Sequence, residues 1–439
     1  TMADFTFQNE NVNNGTYDGE ITRNGETETL TGVEVIQVAN TGSSTFLVRD
    51  GMSIQAAVDA AESGDTVLVD EGTYDGFEVT TENLTIEGPN ASLDGTDGTR
   101  GAEALIAGNV GVSASGSSVS GFTVTPPDAT DNQNGEGILV SGGADNVTIA
   151  NNIVESYSVD TTSGFSEDLE GITAFSSNGS DAVSNVTITG NLVSDLGGNS
   201  NFGAVGIALQ GNVQDGTVEG NTVQDTGAGS AYSFGVVVRA SGGFSPDGAE
   251  ITDNVIDGMT SSGAFSYSAG VGIGFESEHT GVSERSGNTV TNADFLLEEK
   301  DFDPGTGTEL LTTSQLETLI ESNDFDKGAY VTDGNGDLVT QSDGDVVLFA
   351  SIQDALEVAS DGDTVNVLPG TYTGDLTINN GVTLLGAQEG VDAKGRNVEG
   401  STAETTIDGT IQVTTPDVTI DGLRVAASGN NPIDATNDA

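Results

Sequence analysis

Residues 146–154 read NVTIANNIV, and the pattern returns as NVTITGNLV at 185–193, TVEGNTV at 217–223, EITDNVI at 250–256 and SGNTV at 286–290. Short β-branched runs closed by Gly or Asn are the pattern of short strands. Between them lie apolar strand starts at Gly137, Gly171, Gly206, Gly235 and Gly272, spaced 34, 35, 29 and 37 residues apart. A coil of three strands of about five residues with tight turns needs about 20 to 25 residues, so the excess must leave as one loop per turn. The expected fold is all-β, a right-handed parallel β-helix with its long loops on one side. In such a stack, equivalent side chains sit about 4.8 Å apart, so Asn152, Asn191, Asn221, Asn254 and Asn288 are expected to bond along the axis as a structural ladder.

A longer repeat frames this one. SIQAAVDAAESGDTVLVDEGTYDG at 53–76 returns as SIQDALEVASDGDTVNVLPGTYTG at 351–374, an offset of 298 without a gap. SIQxAxxxA has apolar residues at helical spacing behind a Ser cap, and GDTVxV then changes to strand periodicity. A short helix over the first rung covers its unpaired strand edge. IDGLRV at 420–425 likewise matches VSGFTV at 119–124. The expected divisions are an N-terminal strand region at 1–50, the main β-helix at 51–295, a helix-plus-hairpin connector at 296–345 and a second, partial β-helix module at 346–439.

The charge is extreme: 69 Asp and Glu stand against 10 Lys and Arg, a formal net charge of −59. Like charges are screened only over about 8 Å at physiological salt but about 3 Å at 1 M, so the chain is expected to be built for molar salt. Disorder is the alternative for so acidic a chain, but 35% hydrophobic residues in recurring runs provide a core. Nucleic acid and direct membrane insertion are excluded as expectations, the first by charge sign and the second because no apolar run approaches a membrane span. The absence of Cys removes disulfide and thiolate-metal chemistry. The sequons at Asn14, Asn83, Asn90, Asn146, Asn178 and Asn185 suit a glycosylated extracellular or cell-surface protein.

GDTVxVxxGTY behind an Ala-rich helix resembles the opening of chondroitinase-B-like and alginate lyases, and the VTIxxNxV repeats are similar to pectate-lyase-like and periplasmic copper-assembly β-helix proteins. The doubled opening module resembles modular cell-surface β-helix proteins of halophilic archaea. The resemblance spans nearly all of residues 50–439 and implies an architecture rather than a reaction.

Aligning coils by their Gly puts Glu136 and Glu170 at equivalent positions, where stacked carboxylates repel unless a cation joins them. That makes them a calcium candidate, the alternative being two solvated, splayed carboxylates. The same register stacks Gln210, Arg239 and Glu276, with His279 close by. Arg239, Glu276 and His279 are therefore the catalytic candidates for proton abstraction from an acidic sugar, with a structural ion pair as the bland alternative. Only seven Arg and three Lys occur, and no basic cluster of the kind such lyases use on uronates. DGNGD at 333–337 sets Asp333, Asn335 and Asp337 at the alternate positions of a calcium loop, but Gly344 occupies the place of the bidentate Glu, and a hairpin turn explains the motif as well.

Three functions follow as expectations. The first is an extracellular structural or adhesive protein of a halophile, self-associating head to tail through its two ends. The second is a secreted lyase or hydrolase of acidic polysaccharides, and the third a glycan-binding viral tail spike. With 5% aromatics, no Trp and little basic charge, the structural or adhesive role is favoured.

Overall fold

The computed structural model describes residues 5–13, 16–33, 35–39, 42–127, 135–155, 168–197, 202–262, 269–276, 282–300, 311–325, 327–341, 344–392, 404–426 and 432–435. The chain divides into two compact units, one of residues 1–269 with 280–286, the other of 270–279 with 287–439. Both contain parallel β-helix coils.

In the first unit each coil contributes a strand to three faces. The first face stacks Thr85–Glu87, Ser118–Ser120, Thr148–Ala150, Thr187–Thr189, Thr217–Glu219 and Ala249–Thr252 in parallel register. The second stacks Thr123–Val124, Ile153–Glu155, Leu192–Ser194, Thr222–Gln224 and Val255–Asp257. The third stacks Gly72–Val79, Ala104–Val112, Glu136–Val140, Leu169–Ser176, Ala204–Gly211 and Ser233–Arg239. Inward residues from all three faces, such as Ile188, Val193 and Ile172, are wholly buried. The long connections expected from the repeat spacing run from the second face to the third.

Two corners explain the recurrent Asn, Asp and Gly. Asn146, Asn185 and Asp215 adopt φ of 57°, 52° and 52° at one corner, and Asn151 and Asp253 adopt 58° and 55° at the other. These side chains tolerate left-handed backbone better than any non-Gly residue, so one such residue per coil turns the chain. The next residue at the second corner is the ladder Asn. The Asn191 Oδ1 accepts the Asn152 N–H at 2.9 Å, while its Nδ2 donates to the Ile149 carbonyl at 2.9 Å and the Asn221 Oδ1 at 3.0 Å. Asn221 repeats this with Asn254, and Asn288 with Asn323. All five predicted amides are buried and serve structure. Asn191→Ala leaves the Asn152 N–H and the Ile149 carbonyl without these partners in the core, and an expected loss of about 3 kcal/mol follows from penalties of about 1–3 kcal/mol per stranded group. Urea unfolding in constant molar KCl measures it.

The spaced glycines have a packing reason. A Cβ on Gly206 collides with Val223 and lies 2.6 Å from the Gly235 carbonyl oxygen, so the third face approaches the second only where the side chain is missing.

The 298-residue repeat is a repeated cap. Helix α1 (Ile54–Ala60) starts at Ser53, whose side chain accepts the Ala56 N–H, and buries Ile54, Ala57 and Val58. The Gln55 carboxamide mimics a neighbouring strand: its Oε1 accepts the Glu78 N–H at 2.7 Å and its Nε2 donates to the Glu78 carbonyl at 3.1 Å. Asp65 closes the turn by accepting the Glu62 N–H at 2.9 Å, and the Tyr74 hydroxyl donates to the Asp70 carbonyl at 2.9 Å. Helix α2 (Thr313–Ser322) opens on the expected Thr cap, a reciprocal capping box between Thr312 and Gln315. Helix α3 (Ile352–Val358) repeats α1, with Ser351 as cap, Gln353 bonded to Thr377, Asp363 closing the turn and Tyr372 bonded to Leu368.

Residues before the first cap form short strands, as expected. Thr6–Asn13, Thr16–Arg23 and Glu26–Val33 make an antiparallel sheet. Its Asn24-Gly25 turn has positive φ at both residues, the geometry that suits a two-residue hairpin. In the second unit, Thr364–Val367, Thr383–Leu385 and Thr419–Asp421 stack in parallel, as do Gly370–Thr373, Thr405–Asp408 and Leu423–Val425. No helix among the described residues is long and apolar enough to cross a membrane.

Candidate functional site

Among the described residues, the third face of the first unit lines two open cavities. One, of about 410 Å³, is lined by Glu136, Asp168, Glu170, Phe175, Phe202, Gln210 and Arg239. The other, of about 240 Å³, is lined among others by Gln55, Phe77, Glu78, Asn109 and Leu139, and shares Glu136. Six successive strands, from Gly72–Val79 to Ser233–Arg239, contribute lining residues, a span of five steps of about 4.8 Å, and the two cavities, which meet at Glu136, are together called the groove. Phe202 and Asp168 enter at the ends of the long connections, which places the groove on the loop side.

Strand register sets the polar residues. Glu136 stands opposite Glu170, and Phe175, Gln210 and Arg239 occupy successive rungs, so the expected pairing of the two glutamates and that of Gln210 with Arg239 are present. The positive charge that meets Glu170 is the Arg239 guanidinium. Its Nη1 lies 2.8 Å from the Asp168 Oδ2 and its Nη2 3.6 Å from the Glu170 Oε1, with all three side chains 9–12% exposed. The Glu170 Oε2 also accepts the Thr173 hydroxyl at 2.6 Å. Asp168 accepts the Tyr232 hydroxyl at 2.9 Å and the Gly203 N–H at 2.7 Å. This network fixes Arg239 against the wall, so the ion-pair alternative describes its observed contacts.

Glu276 belongs to the second unit, where Lys300 binds it and lies 3.8 Å from Glu298. Burial alone disfavours a charged Lys300, but Glu276 and Glu298 outweigh it and raise its pKa above the ordinary lysine value. The ion pair therefore stabilises the fold fully below the ordinary lysine pKa and fades as pH rises through the raised one. Glu276 thus has its own cation, and His279 lies outside the described residues.

Asp333 serves a turn. Its Oδ1 accepts the N–H groups of Asn335 and Asp337 at 2.7 and 3.0 Å, and its Oδ2 accepts the Asn335 Nδ2 at 2.9 Å. These bonds, the Asn335 N–H foremost, hold its carboxyl below the usual carboxylate range. Among the described residues, no three His, Cys, Asp or Glu side chains gather as a metal would require.

Of the sequons, Asn83, Asn146, Asn178 and Asn185 are exposed, and Asn14 lies outside the described residues. Asn90 is 3% exposed, with its Nδ2 donating to the Ala102 carbonyl at 3.2 Å and its Oδ1 accepting the Gly101 N–H at 2.8 Å. The folded chain does not present Asn90, which corrects that expectation: its amide is turned inward and used up on the Ala102 carbonyl and the Gly101 N–H.

Asp168, Tyr232, Phe175 and Phe202 were not singled out by sequence. Phe175 alone carried a usable signal, because it shares the rung position of Gln210 and Arg239.

No family model and no curated protein matches this chain. Among solved structures it is similar to a PL6 family alginate lyase, AlyGC, at 11% identity over 87% of this chain and 71% of that one, with a TM-score of 0.24. An arginine-to-alanine variant of the same lyase aligns at 13% identity over 89% and 73%, with a TM-score of 0.18. The fold rests on the strand registers themselves: this is an all-β parallel β-helix protein.

Proposed function

We propose that this chain is an extracellular adhesive protein of a high-salt environment that holds polysaccharide along the third face of its first unit. The groove carries the proposal. Its two cavities take residues from six successive strands, combine the apolar rings of Phe175 and Phe202 with the amide of Gln210, and are open rather than closed. The C–H faces of sugar rings pack against aromatic side chains while their hydroxyls bond to amides and carboxylates. Lyase action on a uronate needs a cation aimed at the substrate carboxylate, whereas Arg239 is held by Asp168 and Glu170. Binding without cleavage is the better use of this wall.

Co-sedimentation of the whole chain with a panel of insoluble polysaccharides in molar salt tests this. Retention on at least one of them, with loss of about tenfold or more in affinity on Phe175→Ala with Phe202→Ala, is expected, since tenfold corresponds to about 1.4 kcal/mol of lost contact. Retention on none, or retention indifferent to both substitutions, overturns the proposal.

Head-to-tail self-association is a second proposal. Ile433, on the strand Ile433–Ala435 that pairs with Ile411–Val413, is 45% exposed. That edge suits a further strand, from this chain or another. Electron microscopy in molar salt is expected to show filaments with a regular axial repeat, and isolated particles at every concentration would exclude them.

A further inference from the structure

We infer that the groove selects an uncharged polysaccharide, an inference that rests on the glycan-holding role proposed above. The lining residues of the two cavities include Glu78, Glu136, Asp168 and Glu170, against Arg239 as their cation. Arg239 already faces Asp168 and Glu170, so its charge is spent on the wall. A uronate carboxylate seated beside Glu136 loses water and gains a like charge at contact distance. Molar salt does not remove that cost, because screening acts over about 3 Å and the groups would touch. A neutral chain meets no such penalty. Its hydroxyls donate to the carboxylates, which have no donor of their own when ionised, and its apolar ring faces lie on Phe175, Phe202 and Leu139. A wall rich in acceptors and poor in donors fits a ligand rich in hydroxyl donors.

Register adds a second line of support. Glu136 and Glu170 stand opposite each other on neighbouring strands and Glu136 lines both cavities, so a chain running along the groove passes Glu136 in the middle of its path. A charged repeat unit has no rung on which to avoid it.

The test is affinity electrophoresis of the whole chain in molar KCl with chelator, against neutral glucan, mannan and xylan and against polygalacturonate and alginate. The expected result is retardation by at least one neutral polymer and affinity at least about tenfold weaker for both polyuronates. Glu136→Gln is expected to shift the ratio toward the polyuronates by about tenfold, and Glu78→Gln, on an exposed side chain, shifts it in the same direction should the first variant fold poorly. Tighter binding of a polyuronate than of every neutral polymer, or a ratio unmoved by a folded variant, overturns the inference while leaving the glycan-holding role intact. Binding to no polymer in either set overturns that role and the inference with it.

Discussion

Transfer of this chain from about 1 M to about 0.01 M salt at neutral pH unfolds it, because the screening length rises from about 3 to about 30 Å and brings nearly every surface carboxylate into repulsion with many others. The source is a net charge of −59, with only 10 basic residues to oppose 69 acidic ones. Parallel stacking sharpens the effect, since a coil repeats its positions every strand spacing and places acids such as Glu136 and Glu170 opposite each other. Circular dichroism during dialysis is expected to show loss of the strand signal, recovered on returning salt. Choline chloride at equal ionic strength separates two causes. Equal rescue by a cation that screens without coordinating identifies general repulsion, whereas rescue by sodium, potassium or calcium alone identifies bound ions. A melting temperature indifferent to salt would contradict the expectation.

Arg239→Met destabilises the first unit by about 3–5 kcal/mol, the usual cost of leaving a buried charge without its partner. Asp168 and Glu170 are about nine-tenths buried and lie against the guanidinium. Tyr232, Gly203 and Thr173 still donate to them, which keeps the loss within that range rather than above it. The triple change Arg239→Met, Asp168→Asn, Glu170→Gln is expected to recover most of the loss, because it removes the stranded charges rather than only their neutraliser. Guanidinium is itself a salt, so urea in constant molar KCl is the proper denaturant. Equal destabilisation in the single and triple variants would mean that Arg239 matters by packing instead.

Much of the architecture was legible because a stacked fold writes its geometry as spacing. Asn152, Asn191, Asn221, Asn254 and Asn288 recur at coil length, and an amide side chain both donates and accepts along a buried axis. The same register correctly stacked Glu136 on Glu170 and Gln210 on Arg239. Asn323 escaped notice although it continues the ladder below Asn288, because it caps α2 and lies outside the VTIxxNxV pattern.

The site was legible only in part, for the complementary reason. Asp168 and Tyr232 enter from connections whose lengths differ from coil to coil, so no periodicity marks them, and Asp168 reaches Arg239 across 71 residues of sequence. Spacing gave Arg239 its rung but not its partners. Nor did spacing point to Lys300, a residue with no repeat signal that pairs with Glu276. Asn90 shows the same limit: a sequon is a local string, while its burial depends on bonds to Gly101 and Ala102 more than ten residues away.

Hydrogen exchange with and without a soluble oligomer of the retained polysaccharide, in molar salt, tests the groove most directly. Added protection concentrated in 136–140, 169–176, 204–211 and 233–239 is the predicted result. Protection confined to 364–425, or none there or in the groove while the oligomer is demonstrably bound, would contradict it.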